Sequence, residues 1–211
     1  MAVKLKICGV KTVSEARQLR ELGVDYVGLN FIPESPRLIS LDAAESIVAA
    51  LQGSSVKTVA LFRNQPSETV NEYASRLGAD YVQLHGDESA EYARSVTKPV
   101  IKAIAVDPAV SATELIDFTA DYPAAYFLLD RHEQGRGDIV GTGIARQVVD
   151  CMPDKVCLAG GLTTENLKDV LIKVHPYAID ISRGVRTDEA IDMAKVSRCL
   201  EIIRSMPASR H

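Results

Sequence analysis

What this sequence lacks narrows the possibilities first. Its four cysteines, Cys8, Cys151, Cys157 and Cys199, form no C-x-x-C pair and no His/Cys cluster with zinc-ligand spacing, so neither a disulfide framework nor a structural metal is expected. It has no Lys/Arg run, and its formal net charge is −4. That leaves no electrostatic footprint for nucleic acid or an anionic membrane, and any anionic ligand must be small and held locally. The longest uninterrupted apolar run, residues 124–129, is far short of a membrane span. Lys4 and Lys6 interrupt the apolar residues at the start of the chain as a signal peptide would not allow, so a reduced, cytoplasmic protein is expected. No Pro/Gly/Ser-rich linker or low-complexity stretch divides the chain, which reads as one domain over 1–211. With 211 residues, 46% hydrophobic and 25% charged, it is long enough to bury its own core.

What is present is an alternation. Eight short, mostly apolar runs, at 3–8, 26–31, 58–62, 81–84, 100–103, 126–130, 155–159 and 178–182, read as buried parallel strands. The segments between them read as helices. Val70, Tyr73, Ala74 and Leu77 fall at i, i+3, i+4, i+7, as do Leu167, Val170, Leu171 and Val174, and each set makes one buried stripe. Thr12 with Glu15 and Ser111 with Glu114 have capping-box spacing, and Asp42 with Glu45 reads as a third helix start. Leu22-Gly-Val-Asp-Tyr-Val27 and Leu77-Gly-Ala-Asp-Tyr-Val82 repeat one joint: helix end, glycine cap, strand entry. Eight strands in this length fit an α/β fold, a single (β/α)₈ TIM barrel, better than an open doubly wound sheet.

In such a barrel chemistry gathers at the C-terminal strand ends. That rule selects Cys8, Asn30, Phe31, Arg37, His85, Asp130, Gly160, Gly161, Asp180, Ser182, Arg183 and Gly184. Leu158-Ala-Gly-Gly-Leu162, followed by Thr163 and a helix, reads as a phosphate cradle, with Ser182 and Gly184 beside it. Asp130, ending an apolar strand, would be partly desolvated and so better held in the neutral form a general acid needs; a loop salt bridge with Arg131 is its ordinary alternative. Cys8 by itself reads more readily as a small buried hydrophobe than as a reactive thiol. Arg37 is an anion clamp or a solvated loop charge, and His85 a base, a ligand contact or a packing residue. Asp180, between Ile179 and Ile181, is expected to orient another polar group. The glycine-rich loop 135–143 could fold over a ligand.

Lys6-Ile-Cys-Gly9, Gly28-Leu-Asn-Phe31, Ser35-Pro-Arg37, Gln83-Leu-His-Gly86, Leu128-Leu-Asp130, Leu158-Ala-Gly-Gly-Leu162 and Ile179-Asp-Ile-Ser182 follow one another in an order that resembles the phosphoribosylanthranilate isomerase family over nearly the full length. The resemblance implies a cofactor-free and metal-free Amadori rearrangement of N-(5-phosphoribosyl)anthranilate to 1-(2-carboxyphenylamino)-1-deoxyribulose 5-phosphate in tryptophan biosynthesis. It implies Asp130 as general acid, Cys8 as general base, Arg37 on the anthranilate carboxylate, and Gly161 with 182–184 on the phosphate. His85, Asp180 and Arg183 join the expected substrate-binding set. The implied partner is a small phosphoribosyl substrate, with the protein a monomer or homodimer. Two stretches depart from the family's common pattern. Ser182-Arg-Gly-Val-Arg186 stands where Ser-Ser-Gly-Val-Glu is common, and Val140-Gly-Thr-Gly143 where Gly-Gly-Thr-Gly is. Arg183 is expected at the rim of the barrel mouth, near the phosphate or the carboxylates of a following helix, with Arg186 solvated. The rival readings are a barrel acting on a related phosphosugar and a non-catalytic phosphosugar-binding module.

Overall fold

Local chemistry starts most helices. In the computed structural model, which describes residues 2–107, 109–131 and 141–207, the first helix, α1 (Val13–Leu22), opens on the expected capping box of Thr12 and Glu15 and closes on Gly23 at φ 77°. The same box, Ser111 with Glu114, opens α5 (Ala112–Ala120). Helix α3 (Ser67–Leu77) ends on Gly78, also left-handed, with Val70, Ala74 and Leu77 buried. Helix α7 (Leu167–Val174) buries the whole expected stripe. The remaining helices are α2 (Leu41–Leu51), α4 (Ala90–Ser95), α6 (Thr142–Cys151) and α8 (Met193–Ser205).

Asp42 does not cap α2. Ser40 does, its hydroxyl accepting the Ala43 N–H. Asp42 sits one residue inside the helix with its side chain 92% exposed, while Glu45 is drawn to Arg76 of α3 at 2.9 Å.

The strands are β1 (Lys4–Cys8), β2 (Tyr26–Asn30), β3 (Lys57–Phe62), β4 (Tyr81–Leu84), β5 (Val100–Val106), β6 (Tyr126–Arg131), β7 (Val156–Leu158) and β8 (Ala178–Ile181). They form a closed parallel barrel in sequence order. At the seam, the Lys4 N–H donates to the Tyr177 carbonyl at 3.0 Å. Strand boundaries fall within a residue or two of those expected except for β5, which runs on through the apolar residues after Ala103.

Contacts group the chain into two compact units, Lys6–Ala103 with Tyr122–Ala125, and the rest. The first buries helix-facing strand residues such as Leu29, Phe62 and Leu84 together with the helix residues Leu19, Ile47 and Val70. The second packs Phe127, Leu129 and Ile179 with Val148, Val170 and Val196. After β8 comes a 3₁₀ turn (Arg183–Val185), then a two-stranded hairpin, β9 (Arg186–Thr187) and β10 (Ala190–Ile191). Its two central residues, Asp188 and Glu189, have φ of 49° and 65°, the backbone of a type I′ turn. These are the carboxylates expected on the following helix; they lie instead in a hairpin turn.

Candidate active site

In the first unit, Cys8 ends β1 and is buried, 8% exposed. Its neighbour across the sheet is Gly28, paired in register. A Cβ at position 28 would lie 3.2 Å from Cys8 Sγ and 3.2 Å from Leu61 Cδ1, so the glycine clears the space into which the thiol projects. Gly9, at φ 78°, does the same for Arg37, whose Cδ occupies the place a Cβ would take. The aliphatic stem of the arginine thus lies against the end of β1.

The loop carrying Arg37 is folded back on its own strand. Asn30 Oδ1 accepts the Ile32 N–H at 2.8 Å, and a single bridge pairs Asn30 with Leu38. Gln65 Nε2 donates to the Phe31 carbonyl at 3.1 Å. Phe31 stacks on Phe62 with centroids 5.3 Å apart and takes the edge of Tyr73. Arg37 Nε is buried with no hydrogen-bond partner among the described residues. A guanidinium so placed, half-buried on an ordered loop, suits a planar carboxylate.

His85 follows β4 and is half-buried. Its Nδ1 lies 3.0 Å from Gln83 Nε2. With the amide as donor, Nδ1 accepts and the ring proton sits on Nε2. Gln83, 1% exposed, received no role from the sequence, and its inward-facing spacing two residues before His85 was the signal that could have found it.

In the second unit, Asp130 lies near the end of β6, half-buried, and its Oδ1 accepts the Arg131 backbone N–H at 2.8 Å. Gly160, at φ 86°, stands beside it. A Cβ there would be 2.7 Å from Asp130 Oδ1 and 3.0 Å from the Arg131 nitrogen. Gly160 and Gly161 turn the chain out of β7 with consecutive left-handed φ values, 86° and 69°. The helix α7 begins only at Leu167, after a turn in which Asn166 receives the Thr163 N–H at 2.9 Å and donates to the Gly161 carbonyl at 2.8 Å. Gly184 brings the two glycine loops together, because any Cβ on it would run into the Leu162 carbonyl. Asp180 is buried, 8% exposed. Ser182 is half-buried and does not cap the 3₁₀ turn that follows it.

Arg183 is exposed, and Arg186 is not simply solvated. It is half-buried, its Nη1 donates to the Glu189 carbonyl, and its own carbonyl accepts Lys195 Nζ at 2.8 Å. The hairpin, whose turn folds back over it, is the reason. Residues 135–140 of the glycine-rich loop, with Val140, lie outside the described residues. Among the described residues no three His, Cys, Asp or Glu side chains converge on a metal position, and no helix is long and apolar enough to cross a membrane.

Comparison with known proteins bears on what these strand ends hold. The family model for N-(5'-phosphoribosyl)anthranilate (PRA) isomerase matches residues 5–201. An N-(5'-phosphoribosyl)anthranilate isomerase of Moorella thermoacetica is 38% identical over 205 residues, covering 96% of this chain and 90% of that protein. The crystal structure of phosphoribosyl anthranilate isomerase from Thermus thermophilus superposes with a TM-score of 0.85 at 32% identity, over 96% of this chain and 99% of that one. A further crystal structure, of phosphoribosyl anthranilate isomerase in complex with reduced 1-(o-carboxyphenylamino)-1-deoxyribulose 5-phosphate, has a TM-score of 0.81 at 27% identity, over 97% of this chain and 100% of that one. The match spans every strand end described above, and the chain belongs to the N-(5'-phosphoribosyl)anthranilate isomerase family.

Proposed function

We propose that this chain catalyses the Amadori rearrangement of N-(5-phosphoribosyl)anthranilate to 1-(2-carboxyphenylamino)-1-deoxyribulose 5-phosphate, one step of tryptophan biosynthesis. The observation that carries the reading is the full-length family match together with the retention of both proton-transfer groups, Cys8 and Asp130, each beside a glycine that leaves it room.

Asp130, as the neutral acid, protonates the ribose ring oxygen, and the ring opens to a protonated Schiff base. Cys8, as thiolate, takes the proton from C2 to give an enolamine. Proton return at C1 together with loss of the C2 hydroxyl proton yields the ketone, so the reaction is a redistribution of protons that needs no cofactor or metal. The step needs the carboxyl protonated and the thiol ionised, the reverse of their ordinary order in water, so the two environments must differ. Arg37 pairs with the anthranilate carboxylate, and His85, through its Nε2–H, is a further substrate contact. The Gly161 and 182–184 backbones, with the Ser182 hydroxyl and Arg183 at the rim, hold the phosphate, and Asp180 orients its polar neighbours.

The whole of 1–211 is one catalytic domain that works in the cytoplasm as a monomer or homodimer. Expression in a tryptophan auxotroph lacking the isomerase tests the reading. Growth without tryptophan is the expected result; failure with soluble protein present would shift the assignment to a related phosphosugar.

A further inference from the structure

A buried ion pair stands behind the loop that carries His85. The side chains of Glu88 and Lys102 are 2% and 5% exposed, and Lys102 Nζ lies 2.8 Å from Glu88 Oε2. Burying two charges costs free energy that their attraction seldom recovers, and an apolar pair of similar volume is often as stable or more so. Stability alone is therefore a poor reason for a lysine in the otherwise apolar start of β5, between Ile101 and Ala103.

Strand geometry tells which side of the sheet the pair occupies. Period-two alternation puts Tyr81 and Gln83 on one face of β4, the face His85 continues, and Val82 and Leu84 on the other. The register pairs Leu84 with Lys102. Lys102 thus leaves the sheet on the side opposite Gln83 and His85. There its ammonium donates to Glu88 and to the Gly86 carbonyl. The Glu88 carboxylate in turn accepts the Gly86 N–H at 3.0 Å and the Asn64 N–H at 2.8 Å. Both backbone groups of the residue next to His85 are held, one by each member of the pair. Asn64, at φ 54°, completes the clamp by accepting the Asp87 N–H at 2.8 Å. Its side-chain amide fills the space a Cβ on Gly86 would need. Tyr122 donates its hydroxyl to the Glu88 carbonyl at 3.0 Å.

We infer that the Glu88–Lys102 pair is a positioning device for His85, fixing from behind the ring that Gln83 orients from the front. The inference rests on the proposed role of His85 as a substrate contact. A charged pair suits the task because an ammonium and a carboxylate bind a carbonyl and an N–H of one peptide segment more tightly than neutral groups would.

The test compares Lys102→Met, Glu88→Gln and the Glu88→Gln/Lys102→Met double variant, in the full-length protein, by thermal melting, steady-state kinetics and ¹⁵N NMR of the His85 imidazole. Lys102→Met strands a buried carboxylate and should lower Tm. The double variant, free of buried charge, should regain most of that Tm while its KM stays raised by about tenfold with a smaller change in kcat, as misplacement of a binding group produces. The His85 nitrogen resonances should move in all three. A KM that returns to wild type along with Tm, or His85 resonances unmoved in the variants, would overturn the inference and leave the pair a structural feature. A His85→Ala variant with unchanged KM, by contrast, would overturn the reading of His85 as a substrate contact, whatever the NMR showed.

Discussion

At the scale of single residues, the groups proposed for proton transfer depend on what is missing beside them. Gly28 and Gly160 have no functional atoms, yet a methyl group at either would press on Cys8 Sγ or Asp130 Oδ1. Gly28→Ala should lower kcat by about tenfold or more, since small displacements of a reacting group are costly, while Tm falls only modestly. Gly160→Ala should be worse on both counts, because φ 86° adds backbone strain of about 1–2 kcal/mol. Activity and melting of the two purified variants check this, and wild-type kcat in either would show that the thiol or carboxyl has slack. Arg183→Ser should raise KM several-fold in a salt-dependent way if the exposed guanidinium reaches the phosphate; no change would make it surface variation. The sequence displayed these glycines within motifs, but the atoms they avoid come from neighbouring strands, and no spacing along the chain reveals that. The same holds for Glu88 and Lys102. A lysine in an apolar strand was visible, whereas its partner lies in a loop fourteen residues away.

At the scale of elements, the structure follows the sequence where the signal is local. Capping boxes at Thr12 and Ser111, glycine caps at 23 and 78, and the α7 stripe all involve residues within a turn or two. It departs at α2, where Asp42 and Glu45 have the right spacing but Ser40 stands immediately before the first helical residue and Glu45 has a long-range partner in Arg76. Ser40→Ala should therefore cost about 1 kcal/mol, against a few tenths for the exposed Asp42→Ala. Urea unfolding of the two variants checks the difference; equal losses would return the cap to Asp42. The hairpin after β8 was missed because Asp188-Glu189 lacks the Asn-Gly signature of its turn type.

At the scale of the whole molecule, eight strands could be counted in the sequence, but closure could not, since it rests on the last strand meeting the first. Acid stability is also a property of the whole chain. Burial alone would raise the pKa of Asp80, yet the Thr58 N–H and Lys57 hold it below the ordinary carboxylate range. Burial likewise opposes, but does not overcome, the Lys102 and Asn64 hydrogen bonds that lower Glu88. The Thr163 and Thr164 hydroxyls bring Glu165 down to about 2. A carboxyl whose pKa is lowered by folding contributes stability above its unfolded value and loses it as pH falls through the folded one. The urea midpoint should thus be flat from neutrality to about pH 5 and fall below it, less steeply in Asp80→Asn. A decline beginning near neutral pH would mean that other groups dominate.

The proposed role of Cys8 and Asp130 is to move the protons of an aminosugar rearrangement. Its most direct test is turnover of N-(5-phosphoribosyl)anthranilate, followed by substrate loss and appearance of the aminodeoxyribulose phosphate, in the wild-type protein and in Cys8→Ser and Asp130→Asn. Clear wild-type turnover is expected, with a fall in kcat of at least about 10²-fold in each variant and binding of a reduced product analogue largely kept. Near-normal kcat in either variant, in folded protein, would contradict it.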